Sequence, residues 1–218
     1  MTGFSRSPQI LKAGLVLLDP VLFTVRRLIV LQYNPDQLTR TLQPLSAGGD
    51  SADRTEALRL KGPAVETFKL DAELDATDQL EFAKDNPAAV EVGLFPQLSL
   101  LESLVSPTSD DIAAADELLR RGAVEIAPME APLTLFVWSA QRVVPVRVTE
   151  FTVTEEAFDT TLNPIHAKVS LSLRALSSND LPIDHRGAEF FLAYLRTKES
   201  LARRAADGTR TQLGAQGF

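Results

Sequence analysis

The chain has 218 residues, which fits one domain or one domain with a helical appendage. It contains no cysteine, so its composition excludes a disulfide framework and thiolate metal sites. Its formal net charge of −7 argues against a protein that binds nucleic acid through a broad basic face.

Apolar runs are short throughout the chain. The first, at residues 15–18, ends at Asp19 and Pro20, which argues against a signal peptide. The other apolar runs fall far below the ~20 residues needed to span a bilayer. The sequence therefore predicts a cytoplasmic protein without stable membrane insertion and without a nucleic-acid partner.

The N-terminal third of the chain predicts β-strands. Residues 1–9 are polar and irregular, and we expect a flexible arm there. Two apolar segments, residues 10–18 and 22–33, predict the first two strands. Residues 44–51 are rich in glycine, serine and aspartate and predict a loop.

The middle of the chain changes from a strand pattern to a helix pattern. Apolar and charged side chains alternate strictly up to Asp75, which predicts a half-buried strand over residues 65–75. Residues 97–105 and 110–121 predict helices, with Ser109 and Asp110 as candidate N-caps. We therefore expect a helical insertion at about residues 97–121.

The C-terminal part of the chain returns to strands and ends in a helix. Residues 133–138, 143–153 and 165–175 predict strands, and the last of these alternates between an apolar and a polar face. Residues 188–205 carry an apolar stripe at helical spacing. The Gly- and Gln-rich residues 206–218 predict a disordered tail.

This order of elements predicts the fold class. Strands, a helical insertion, more strands and a final helix favour an α+β, β-dominated fold over a doubly wound sheet. We expect an antiparallel β-barrel or sandwich with peripheral helices, formed as a single domain by residues 10–205.

Two Asn-Pro pairs mark the ends of predicted strands. Proline fixes its own φ near −65° and pushes the preceding residue out of the helical region. We therefore expect Asn34 and Pro35 to end the second strand, with Tyr33 buried beside the sheet. By the same reasoning, Asn163 and Pro164 should open the last strand.

The sequence offers few groups for catalysis. Its two histidines, His166 and His185, are interpreted as solvated or interface side chains. Glu155 and Glu156 are adjacent and would face opposite sides of a strand, so we read them as an acidic turn. Nucleotide-binding, zinc-protease and EF-hand spacings are absent from the sequence. We therefore expect neither an enzyme nor a bound cofactor.

The acidic face of the strand at residues 65–75 is a possible cation site. Asp71, Glu73 and Asp75 recur at every second position and would share one face. They lack a loop that could wrap a hard cation in six or more oxygens. We read them as a solvated strand face and expect no metal.

Two stretches carry a resemblance to a known family. They are Gln32-Tyr33-Asn34-Pro35-Asp36-Gln37-Leu38 and residues 147–176. In their order along the chain they resemble the N-terminal domain of the tube-type proteins of contractile injection systems, which are phage-tail-like particles. The resemblance implies a phage tail-tube type of β-barrel and a six-fold homo-hexameric ring. That ring would join the central spike to the inner tube and initiate tube assembly, with baseplate wedge proteins as further partners.

Other readings of the sequence remain open. The chain resembles an inner tube subunit as well as a tube initiator. It also resembles a peptidoglycan-associated relative that has lost its LysM module. A third reading, from a different class, is a ligand-binding or catalytic β-barrel whose pocket is lined by Tyr33, Trp138 and His166.

A ring subunit would need side chains that anchor its interfaces. Such interfaces concentrate their binding energy in a few aromatic or arginine residues. Arg147 and Arg174 lie among apolar strand residues, and Phe158 lies shortly before the second Asn-Pro pair. We take these three residues as interface candidates; the alternative is that the arginines are solvated and Phe158 belongs to the core.

Overall fold

The computed structural model describes residues 10–19, 22–46, 59–121 and 131–205. Within these residues the chain forms seven strands and five helices. In chain order they are β1 (Gly14–Leu18), β2 (Val25–Val30), β3 (Leu38–Gln43), β4 (Val65–Asp75), α1 (Thr77–Glu81), α2 (Pro87–Val92), α3 (Phe95–Glu102), α4 (Ser109–Arg120), β5 (Leu133–Ser139), β6 (Arg142–Phe158), β7 (Pro164–Ala175) and α5 (Arg186–Ala202). The predicted arm at residues 1–9 and the predicted tail at residues 206–218 lie outside the described residues.

The seven strands form a single antiparallel sheet in the order β2-β1-β5-β6-β7-β4-β3. The fold is therefore α+β and β-dominated, as predicted. β6 is long enough to pair with two neighbours: residues 142–146 pair with β5, and residues 146–158 pair with β7. The outer part of β6 consequently projects beyond the end of β5, and with β7 it forms a long hairpin.

The sheet is rolled rather than flat. β4 is five positions from β2 in the sheet, which corresponds to about 24 Å in a flat sheet at a strand spacing of about 4.8 Å. Yet the side chain of Gln32, just beyond β2, hydrogen-bonds to Asp75 at the end of β4. Because β2 and β3 do not pair with each other in the described residues, the sheet is a barrel that closes incompletely.

The inner face of the rolled sheet holds the main core. Phe68, Phe136, Val144, Val169 and Leu173 are almost wholly buried there. Leu94, Leu98 and Leu101, from the start and body of α3, join the same core. Helix α5 contributes Tyr194 to it, while Phe190 of α5 packs on a smaller cluster formed by Leu18, Leu133 and Leu135.

Several element boundaries differ from the prediction. Residues 10–13 are not a strand, and β2 covers only part of the predicted segment 22–33. β3 was missed because its six side chains are partly or fully exposed and so carry little apolar alternation. Helices α1 and α2 were missed because each is only five or six residues long and has almost no buried face.

The two longer helices begin at unforeseen residues. Thr108, not Ser109 or Asp110, caps α4: its hydroxyl accepts the Asp111 N–H, and the Asp111 carboxylate accepts the Thr108 N–H. Helix α5 begins two residues before the predicted start, because the Nδ1 of His185 accepts a hydrogen bond from the Gly187 N–H at 3.0 Å.

Candidate assembly surface

The first Asn-Pro segment closes the barrel through two side-chain amides. The Nε2 of Gln32 donates to the Asp75 carbonyl at 2.7 Å, and the Asp75 N–H donates to Oε1 of Gln32 at 3.0 Å. A side-chain amide paired in this way imitates one residue of a neighbouring strand. Gln32 therefore links the chain just beyond the edge strand β2 to β4, the strand beside the opposite edge, and leaves the edges of β2 and β3 unpaired with each other.

Asn34 makes the same kind of contact on the other side. Its Oδ1 accepts the Ala13 N–H at 2.9 Å, and its Nδ2 donates to the Leu11 carbonyl at 2.8 Å. Tyr33, between the two amides, is 43% exposed, so the prediction that it is buried beside the sheet is wrong. The prediction that Pro35 ends the second strand is wrong as well, because β2 already ends at Val30.

The second Asn-Pro segment opens β7 at Pro164, as predicted. It follows a tight turn in which Asp159 Oδ1 accepts the N–H groups of Thr161 and Asn163, both at 2.8 Å. The hydrogen bond from the Asn163 N–H is the main cause that lowers the pKa of Asp159 to about 2. The turn places Leu162 at a φ of 66° with its side chain 75% exposed.

Helices α2 and α3 are attached to this turn. The Nδ2 of Asn163 donates to the Glu91 carbonyl at 3.0 Å, and the Leu94 N–H donates to the Pro164 carbonyl at 2.9 Å. Gly93 allows this approach: its φ is 56°, and a Cβ there would lie 2.4 Å from the Pro164 oxygen. We call this unit, made of residues 158–163 and α2, the hairpin tip.

The sheet ends in two edge strands that carry exposed apolar side chains. On β2, Val25, Leu28 and Val30 are each more than half exposed. On β3, Leu42 is 43% exposed. An edge strand also presents unpaired backbone N–H and C=O groups, which makes it a template for another strand.

The three predicted interface residues have different surroundings in the structure. Arg147 and Arg174 are direct cross-strand partners on β6 and β7, but their surroundings differ. Arg147 is exposed, whereas the Nη2 of Arg174 lies 2.7 Å from the Asp180 carboxylate. Phe158 is 47% exposed at the end of β6, so the alternative that it belongs to the core is wrong.

The residues considered for catalysis or ligand binding lie in different environments. Nδ1 of His166 is 3.0 Å from Glu156 on the outer face of the sheet. Trp138 packs against Phe136, with ring centroids 5.9 Å apart, at the main core. Tyr33 lies on the loop after β2. They therefore do not share one face of the sheet.

The acidic strand face is divided among separate contacts. Asp71 accepts a hydrogen bond from the Ser170 hydroxyl at 2.6 Å, and Glu73 lies 3.8 Å from His166. Hydrogen bonds from Thr77, first through its side chain and then through its N–H, lower the pKa of Asp75. Within the described ranges, no three histidine, aspartate or glutamate side chains converge in a way that could hold a metal ion.

One buried cluster was not foreseen from the sequence. Glu66 on β4 is only 2% exposed, and it accepts hydrogen bonds from Tyr194 Oη at 2.9 Å and Lys198 Nζ at 3.1 Å. Arg40 Nε lies 3.5 Å from the same carboxylate. Burial, then the bond to Glu66, raises the pKa of Tyr194 to about 12. The alternation on β4, continued back from Phe68, would have placed Glu66 on the inner face.

Comparisons with known proteins identify no family for this chain. No protein-family model matches it, and neither does any curated protein. Among solved structures, it is similar to a chain in the C6-symmetric tail of an empty GTA particle. That similarity has a TM-score of 0.29 and 11% identity, and it covers 75% of this chain and 90% of the other. A TM-score this low carries no functional conclusion.

In the described part of the chain, no helix is both long enough and apolar enough to cross a bilayer.

Proposed function

We propose that the protein is a structural subunit of a phage-tail-like particle and forms a six-fold ring. In that particle it joins the central spike to the inner tube and initiates tube assembly. Its partners are then further copies of itself, the spike, the inner tube protein and the baseplate wedge proteins. The two stretches that resemble tube-type proteins support the choice of particle. The partly closed barrel supports the role of a ring subunit.

The observation that carries this proposal is the pair of edge strands, β2 and β3, which have no further strand beside them in the described residues. β2 and β3 differ in sequence and lie at opposite ends of the strand order. Pairing β2 of one copy with β3 of the next is a heterologous contact, and repetition of such a contact closes a ring when the rotation fits. It would also cover the exposed apolar side chains of β2 and satisfy both sets of free backbone groups.

The alternative of an inner tube subunit uses the same contact and differs only in the position of the ring. The length of the helical segment between β4 and β5, which carries α1 to α4, favours the ring that joins spike and tube. A repeating tube subunit needs compact faces that stack on identical copies, whereas an adaptor contacts unlike partners on its two sides.

The test is electron microscopy of particles from a strain that lacks this gene or carries an edge variant. We expect deletion to abolish particles with an attached tube. Leu28→Lys on the exposed edge β2 should do the same because it places a charge in the strand contact, whereas Leu201→Lys on α5 should leave particles normal. Normal particles after deletion would refute the proposal. Normal particles with Leu28→Lys would refute the edge contact.

A further inference from the structure

A large groove lies where the loop after α3, the start of α4, β2 and β5 meet β6. Its volume is about 1070 Å³. Its apolar walls include Leu104, Val105, Leu133, Val148 and Leu176. Grooves of this size with apolar walls and a few polar groups are typical binding sites.

The groove carries a net positive rim, with three arginines against one aspartate, Asp111, which interacts electrostatically with Arg26. Arg26, Arg27 and Arg147 line it. Within the described residues, none of the three forms an ion pair at hydrogen-bonding distance. The acidic residue of the groove, Asp111, has its carboxylate engaged in the cap of α4. An occupant of this groove should therefore be apolar at its centre and acidic at its margins.

The hairpin tip has this character. Leu162 is 75% exposed, and Phe158 and Val90 are each nearly half exposed. Glu91 on α2 is an exposed carboxylate of the tip, and Glu155, three residues before Phe158 on β6, is another exposed carboxylate close to it in sequence. Within the described ranges, neither of them forms an ion pair.

The hairpin tip is held rigidly before any partner binds. Asp159 and Asn163 fix the turn, and Gly93 lets α2 and α3 approach closely behind it. Leu162 is thereby kept at a positive φ, which costs a nonglycine residue conformational energy. Anchors presented on rigid supports lose less entropy on binding than mobile ones.

The tip does not occupy the groove of its own chain. No residue of the tip lines the groove, and Leu162 is 75% exposed. Hydrogen bonds from Asn163 to Glu91 and from Leu94 to Pro164 hold the turn in this position. With the turn held there, a contact between the tip and the groove has to join two copies.

We propose that the hairpin tip of one copy inserts Leu162 into the groove of the next copy, with Arg26, Arg27 and Arg147 facing its acidic margin. The contact is heterologous, because the tip and the groove are different surfaces of one chain. It rests on the proposed function and deepens it, since it names a second contact between copies in addition to the paired edge strands. Opposite charges on the two surfaces would orient the copies as they meet.

Cysteine cross-linking tests this contact, and the absence of native cysteine makes the result easy to interpret. One preparation carries Leu162→Cys, and a second carries Ser103→Cys or Ser106→Cys in the groove. Oxidation of the mixture at high protein concentration should yield a disulfide-linked dimer, because a disulfide needs Cα atoms within about 7 Å. The matched control pairs Leu162→Cys with Ser200→Cys, which lies on the exposed surface of α5.

Charge exchange supplies the second measurement. Arg147→Glu should reduce the cross-linking yield to that of the Ser200→Cys control, and adding Glu155→Arg in the same chain should restore it. Arg147→Lys should retain the yield. Equal yields from groove and control positions would overturn the inference. Particles that lose their tubes on deletion of the gene, but show no cross-link between tip and groove, would refute this contact and leave the proposed function standing.

Discussion

Gln32 pairs with the backbone of Asp75 through the oxygen and the nitrogen of its side-chain amide, and this contact links the chain after β2 to the end of β4 across the rolled sheet. The donor distance is 2.7 Å and the acceptor distance is 3.0 Å. Asn34, two residues later, pairs with the backbone of Leu11 and Ala13. We call Gln32 and Asn34, with these backbone contacts, the clasp. These two polar side chains anchor the segment to the sheet, a role that the sequence had suggested for a buried Tyr33.

Removal of the Gln32 amide should loosen the barrel. Gln32→Ala leaves the partly buried N–H and C=O of Asp75 without their partner, and we expect a loss of about 1–2 kcal/mol in the free energy of unfolding. Urea denaturation measures this loss. Gln43→Ala on the exposed edge strand is the control and should change the stability by less than about 0.5 kcal/mol. Equal effects of the two substitutions would show that the clasp does not stabilise the fold.

Replacing Asn34 should destabilise the fold more than replacing the larger aromatic residue Tyr33. Asn34→Ala removes two hydrogen bonds to the backbone and should cost about 1–2 kcal/mol. Tyr33→Ala removes a side chain that is 43% exposed on a loop and should cost less, about 0.5 kcal/mol. Thermal unfolding of the two variants measures both losses of stability. A larger loss of stability for Tyr33→Ala than for Asn34→Ala would mean that the Tyr33 ring packs in the core.

Glu66 should be the most sensitive charged residue of the fold. Glu66→Ala leaves Lys198 and the Tyr194 hydroxyl without their buried acceptor, and we expect a loss of about 1–3 kcal/mol. Glu73→Ala on the outer face of the same strand is the matched control, because that carboxylate is 52% exposed. Chemical denaturation compares the two. A similar small loss for both would contradict a stabilising role of the cluster.

Tyr194 should ionise only in strong alkali. The chain has two tyrosines, so Tyr33→Phe leaves Tyr194 as the one phenol that titrates. Its absorbance should change near pH 12, where burial and Glu66 have raised its pKa from 10.0. Because the folded pKa is the higher one, the stabilising contribution is complete below pH 10 and is lost as the pH rises through 12. A midpoint near 10 would place the ring in water.

Asp159 should keep the hairpin tip ordered in mild acid. Its pKa is about 2 in the folded protein and 3.8 as an unperturbed side chain. A lowered carboxyl pKa means that its contribution to stability is present above pH 3.8 and is lost as the pH falls from 3.8 toward 2. Carboxyl carbon NMR measures the midpoint directly, and amide exchange at Thr161 and Asn163 reports the turn. A midpoint near 3.8 would show that these N–H groups do not bind the carboxylate.

The sequence by itself determined the parts of the fold that follow from local pattern. Strict alternation predicted a strand over residues 65–75, and β4 has these same bounds in the structure. Pro164 marked the start of β7. Apolar residues at helical spacing located α5 to within three residues at each end. These features succeed because burial of one face and the fixed φ of proline act through neighbours in the chain.

Only the tertiary structure decided which distant groups meet. Glu66 and Tyr194 are 128 residues apart in sequence, and Gln32 and Asp75 are 43 apart, so no local pattern links either pair. The strand order that rolls the sheet also brings β2 and β3 to its open edges, although both are polar or exposed over most of their length. Contacts of this kind depend on how the strands are ordered and curved in three dimensions. A single sequence encodes that arrangement only through the packing of the whole chain.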